Sequence, residues 1–172
     1  MKKLFLIAII PIFFFLGCDS NPAEPDAVKM TVTQLSDTPG YTWMYELFAT
    51  YQPDSVVENN IKNLLDTNRD KLVIFARASC SCPTEKKEFA QVLKILMDLK
   101  FSENDYEIYA MSSRTNPNPY SNIIKLNDIP EVYYFRNGVP VYSIIDTLYN
   151  NIQKGVKYPV TVEDVMYEAL AH

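Results

Sequence analysis

The chain has 172 residues, 48% of them hydrophobic and 22% charged, a composition that supports a folded core and excludes a disordered or fibrous chain. Sixteen basic residues against twenty-one acidic ones leave a net charge of −5. That balance lacks the electrostatic footprint of nucleic-acid binding, so no nucleic-acid partner is expected. Three cysteines are too few for a disulfide-stapled miniprotein, and a single histidine, His172, excludes a site built from several imidazoles.

Lys2 and Lys3 precede an apolar run, Leu4 to Leu16, that is too short to span a membrane comfortably as a mature helix. Residues 1–17 therefore read as a signal peptide. The ending Phe15-Leu16-Gly17-Cys18 resembles the bacterial lipobox, in which a small residue precedes a cysteine that is diacylated and becomes the new N-terminus. The resemblance implies lipidation at Cys18, a membrane partner held through that lipid, and a body outside the cytoplasm in the bacterial cell envelope. An uncleaved anchor with an incidental cysteine is the alternative. Residues 18–29 are polar and broken by prolines, as a flexible tether is, which leaves 30–172 as one domain.

Within that domain Thr31 to Leu35 alternates and predicts a short strand, bounded by Pro39-Gly40. Tyr41 to Tyr51 is dense in aromatics and reads as cover for one face of a core, or as a docking patch. Ser55-Val56-Val57-Glu58 has a capping-box pattern, and Val57, Ile61, Leu64 and Leu65 recur at helical spacing. Lys71 to Ala76 is a continuous apolar run of strand length, the pattern of a strand covered on both faces. Pro83 opens a helix striped by Phe89, Val92, Leu93, Leu96 and Leu99. Tyr106 to Met111 predicts a strand, and Ser112 to Asn122 a loop. Val132–Phe135 and Val139–Ile145 form two strands about Asn137-Gly138, a hairpin signal. Thr161 starts a last helix that runs to Leu170. This order implies an α/β fold: a central mixed sheet of parallel strands joined by crossovers, an antiparallel hairpin at the edge, and flanking helices.

Cys80 and Cys82 follow the buried strand and precede the next helix, where unpaired N–H groups and the helix dipole stabilise a thiolate. A lowered pKa makes such a cysteine reactive near neutral pH. A Cys80–Cys82 disulfide closes a smaller ring than Cys-x-x-Cys, so strain favours its reduction. Arg77 is the better candidate to bias the thiolate electrostatically, while Lys86, Lys87 and Glu88 read as a solvated helix face. Asp128 reads as a turn residue. No Gly-rich phosphate loop, acid pair or Ser/His/Asp set is present, and no resident metal or cofactor is expected.

From these residues the chain resembles the thioredoxin family. The resemblance rests on Leu72-Val73-Ile74-Phe75-Ala76-Arg77-Ala78-Ser79-Cys80, on Asp128-Ile129-Pro130 and on Tyr134-Phe135-Arg136-Asn137-Gly138. It implies a thioredoxin-like fold over about Val56 to Leu170, Cys80 and Cys82 as the catalytic pair, and a cis Ile129-Pro130 that faces the pair and contacts extended substrate. The chain departs from the family in three places. One residue between the cysteines is missing, Ile74 stands where the family has a buried aspartate, and Ser79 replaces its tryptophan.

The expected function is thiol–disulfide exchange or isomerisation on the thiols or disulfides of exported proteins, served by a membrane or periplasmic redox partner. Two alternatives compete with it. One is a thioredoxin-fold binding module with an inert disulfide. The other is a thiolate carrier of Cu(I), for which Met111 is distant in sequence and His172 terminal.

Overall fold

The structure is a computed structural model that describes residues 26–65, 69–78 and 83–172, with side chains from Lys86 onward in the last segment. The signal-peptide segment, Cys18 and most of the tether lie outside the described residues, as do Cys80 and Cys82. Among the described residues the chain is an α/β domain with a five-stranded mixed sheet and six helices. None of those helices is long and apolar enough to cross a membrane.

In chain order, β1 (Val28–Met30) opens the sheet, so Val28 and Lys29 belong to the folded body and not to the tether. α1 (Val32–Asp37) follows at once, where alternation had predicted a strand. Thr31 Oγ1 accepts from Gln34 N at 3.1 Å, and Gln34 Oε1 accepts from Thr31 N at 2.9 Å. This reciprocal cap satisfies two backbone donors and outweighs a short alternation. α2 (Met44–Thr50) carries the aromatic segment, with Tyr41 and Met44 buried and Tyr45 exposed, so the segment mostly covers core.

α3 (Ser55–Leu64) is capped by Asp54, whose carboxylate accepts from Val56 N and Val57 N, and not by the Ser55–Glu58 box. Aspartate one position earlier reaches the same orphan donors with a full charge. β2 (Asp70–Ala76) is buried at every residue except Lys71. α4 (Pro83–Asp98) buries Phe89, Val92, Leu93 and Leu96 as its stripe predicts. β3 (Tyr106–Ala110), β4 (Glu131–Arg136) and β5 (Val139–Ser143) complete the sheet. Asn137 and Gly138, at φ 54° and 76°, form the hairpin turn.

α5 (Ile144–Gln153) starts without a break after β5, so the strand predicted to reach Ile145 ends two residues earlier. α6 (Val162–Ala171) is capped by Thr161, which accepts from Asp164 N. The strand order is β1-β3-β2-β4-β5. β2 and β3 are parallel across α4, while β1, β4 and β5 each pair antiparallel. Among the described residues only the β2–β3 pair is therefore parallel, and the edge strands β1 and β5 both run antiparallel to their neighbours.

Leu72, Ile74 and Ala76 of β2 face one large core with the helices, and Val73 and Phe75 face the opposite side. There Tyr120, Ile124 and Leu126, from the segment predicted as loop and its continuation, cover the sheet. Tyr120 packs on Phe135 at 5.0 Å between ring centroids. Its hydroxyl and that of Tyr109 donate to Glu107 Oε2, while Lys29 and Lys71 donate to Oε1. Burial alone would raise the Glu107 carboxyl, but these four donors hold it down at about 2. One carboxylate thus ties three strands to the covering segment.

Candidate functional site at the carboxyl end of β2

The described chain leaves β2 at Ala76, continues through Arg77 and Ala78, and resumes at Pro83 at the head of α4. Cys80 and Cys82, the predicted catalytic pair, fall between these points and outside the described residues. The end of β2, from which the chain runs on to them, is bordered on three sides.

β4 forms the first side. Its register pairs Glu131 with Phe75, which brings Pro130 level with Ala76. Ile129 and Pro130 are both buried, and the peptide between them is cis. Asp128 is exposed and its Oδ1 accepts from Ile129 N at 2.8 Å, as a turn residue does. The predicted substrate-contacting pair and the strand that leads to the cysteines therefore meet at the same end of the sheet.

β3 forms the second. Met111 N donates to Ala76 O at 2.8 Å, so a thioether remote in sequence follows the strand that neighbours β2. His172 lies at the other end. Arg136 at the far end of β4 pairs with Asp70 at the start of β2 and donates to Leu170 O, two residues before the histidine.

The turn between α1 and α2 forms the third. Gly40, at φ 97°, sits so close to Ala78 that a Cβ there would lie 2.9 Å from the Ala78 Cβ. Trp43 Nε1 donates to Gly40 O at 2.8 Å, and the indole packs on Phe89 of α4. Lys86 Nζ lies 5.4 Å from the centre of that ring, a cation–π contact. The solvated-face reading of Lys86, Lys87 and Glu88 is thus corrected. Glu88 is buried, Lys86 rests on Trp43, and only Lys87 is exposed. Arg77 is partly buried, and its Nε makes no hydrogen bond among the described residues.

Sequence reasoning missed Glu131. Its side chain is buried, with Oε1 accepting from Val132 N and Ile145 N and Oε2 from Asp146 N, at 2.7 to 3.0 Å. It therefore caps α5 from the residue after Pro130. Burial pushes the carboxyl up to about 7; the Asp146 charge adds to this, and the Val132 and Ile145 N–H groups oppose it. Beside it a cavity of about 400 Å³ opens between Asp128, Pro130 and one side of α5 from Ile145 to Gln153. No sequence signal marks this carboxylate as buried, because two of its three donors come from a helix that starts thirteen residues later.

Comparison with known proteins found no matching family model, no matching curated protein and no matching solved structure.

Proposed function

We propose that the protein is a membrane-anchored, extracytoplasmic thiol–disulfide oxidoreductase or isomerase of thioredoxin-like fold, acting on exported proteins through Cys80 and Cys82. The observation that carries this reading is the register of β4 on β2, which sets Pro130 beside the strand end from which the chain runs to the cysteines. The parallel β2–β3 pair and the antiparallel β4–β5 hairpin are compatible with that fold.

In the reducing direction, the Cys80 thiolate attacks one sulfur of a substrate disulfide. A Cys80–substrate S–S bond forms, the substrate bond breaks, and the released thiolate takes up a proton. The Cys82 thiolate then attacks the Cys80 sulfur and releases the second substrate thiol. The substrate gains two electrons and the protein is left with a Cys80–Cys82 disulfide, which a membrane or periplasmic dithiol partner reduces. The oxidising direction is the reverse; in isomerisation another substrate thiolate attacks the mixed disulfide, forming the new substrate S–S bond and releasing the Cys80 thiolate with no net transfer of electrons. Ile129 and Pro130 position the substrate backbone, and the lipid on Cys18 keeps the domain at the membrane.

Cys80→Ser is expected to abolish insulin reduction and disulfide isomerisation, and Cys82→Ser to accumulate a mixed disulfide visible on a non-reducing gel. Wild-type behaviour of both variants would overturn the mechanism.

One observation favours carriage of Cu(I) as a second reading: Met111, a soft thioether donor, stands next to the end of β2. That reading expects stoichiometric Cu(I) binding that survives competition by a soft chelator, weakens in Met111→Leu and disappears when either cysteine is replaced.

A further inference from the structure

The segment that covers the second face of the sheet has a cavity of about 640 Å³ in its outer side, walled by Arg114, Asn116, Lys125 and Asn127. A second cavity of about 290 Å³ shares Asn116 with it and continues to Arg77, Ala78 and Met111 at the end of β2. Together they run from Lys125 to the last residues described before the cysteines.

Charge and polarity along this run are not uniform. The outer cavity is lined by cationic and neutral polar groups together with Ile124 and Leu126, and no carboxylate lines it. Arg114 is anchored by a hydrogen bond from Nη1 to Asn127 O, which fixes one end of its guanidinium. Lys125 is exposed, and among the described residues its Nζ makes no hydrogen bond or ion pair. The inner cavity is walled largely by Val28, Tyr41, Ala110 and Met111, with the unpartnered Nε of Arg77 among them and Asp26 at its rim. In a chain of net charge −5, the outer cavity, whose only charged lining side chains are Arg114 and Lys125, concentrates an attractive potential for anions. Its floor is set: Asn116 is buried, and its Oδ1 accepts from Ser112 N, Ser112 Oγ and Ser113 N.

We propose that these two cavities form a substrate-binding groove for an extended polypeptide, with Arg114 and Lys125 receiving an acidic side chain and the inner cavity an apolar one. The choice of a polypeptide rests on the thiol-exchange reading above. The volume of the outer cavity exceeds what a lone carboxylate needs and lies within the range of sites that enclose several groups. The groove selects, among exported proteins, those with an acidic residue flanking the reactive sulfur.

The test uses the full chain in detergent and two pairs of labelled peptides, acidic and lysine-flanked. One pair carries no sulfur and the other an internal disulfide. Anisotropy with the sulfur-free pair is expected to give about fivefold tighter binding of the acidic peptide at low salt, a preference eroded as ionic strength rises. Lys125→Glu, at an exposed side chain, is expected to abolish or reverse the preference with the melting temperature unchanged; Arg114→Ser is the second variant. Equal binding of both peptides by the wild type, or a preference untouched by both variants, overturns the groove. Reduction of the disulfide pair is read separately. A binding preference without any exchange leaves the groove standing and overturns the oxidoreductase reading. Exchange at equal rates on both peptides, without a binding preference, does the reverse.

Discussion

Glu131 is a carboxylate that the fold uses as a backbone acceptor at the cost of burying it. The unfolded chain releases its proton near 4.5, whereas the folded state keeps it to about 7. The folded pKa of this acid is raised, so its contribution to stability is most favourable below 4.5 and declines as pH rises to about 7. Across that window the decline is at most about 3 kcal/mol. Glu131→Gln removes the titration, so the variant is expected to gain on the wild type in denaturant midpoint between pH 4.5 and 8. A stability difference between the two that stays constant over this range would show that the carboxyl is not held protonated. Glu107 has the opposite sign. Its depressed pKa contributes stability that is present above 4.5 and lost only as pH falls towards about 2. A buried and a partly buried glutamate on one sheet thus pull in opposite directions, because Glu131 meets backbone donors and an adjacent aspartate whereas Glu107 meets two lysines and two hydroxyls.

At the scale of elements, the turn between α1 and α2 is held against the end of β2 by the approach of Gly40 to Ala78. Only glycine fits, for two separate reasons. Its φ of 97° disfavours any side chain, and the first atom of such a side chain would meet the Ala78 Cβ at 2.9 Å. Gly40→Ala is expected to cost about 1–3 kcal/mol in chemical denaturation. Adding Ala78→Gly should recover the contact part and leave the φ part, so non-additivity in that pair measures how firmly the turn is docked. A single variant within about 0.5 kcal/mol of wild type would mean the turn yields freely. The Pro39-Gly40 signal was legible as a turn; that it packs against the residue two before Cys80 was not, because nothing local links residues so distant in sequence. The same holds for α5. Its apolar positions Ile144, Ile145, Leu148 and Ile152 have helical spacing, but two isoleucines after a strand read equally well as more strand. The Glu131 carboxylate on Ile145 N and Asp146 N decides the start of the helix.

At the scale of the whole molecule, the proposed function is tested by the reduction potential of the Cys80–Cys82 pair, titrated against glutathione. A value well above about −300 mV is expected for a working disulfide, and a lower one would mark an inert staple. The sheet order and the register of β4 on β2 matter here, since they bring Met111, Pro130 and Ala78 to one end of the sheet and leave His172 at the other. Sequence by itself determined the α/β class, the doubly covered strand β2, the striped helix α4 and the Asn137-Gly138 hairpin. Each is written in a local period or a turn residue that acts within a few positions. Only the tertiary structure decided that a segment loop-like in composition covers half the sheet, that Glu131 and Glu88 are buried, and that Lys86 lies on Trp43. Those outcomes depend on partners beyond the reach of a local period, from about a dozen residues away for Glu131 and Tyr120 to more than forty for Lys86, and burial, charge pairing and cavity shape exist only once such partners meet.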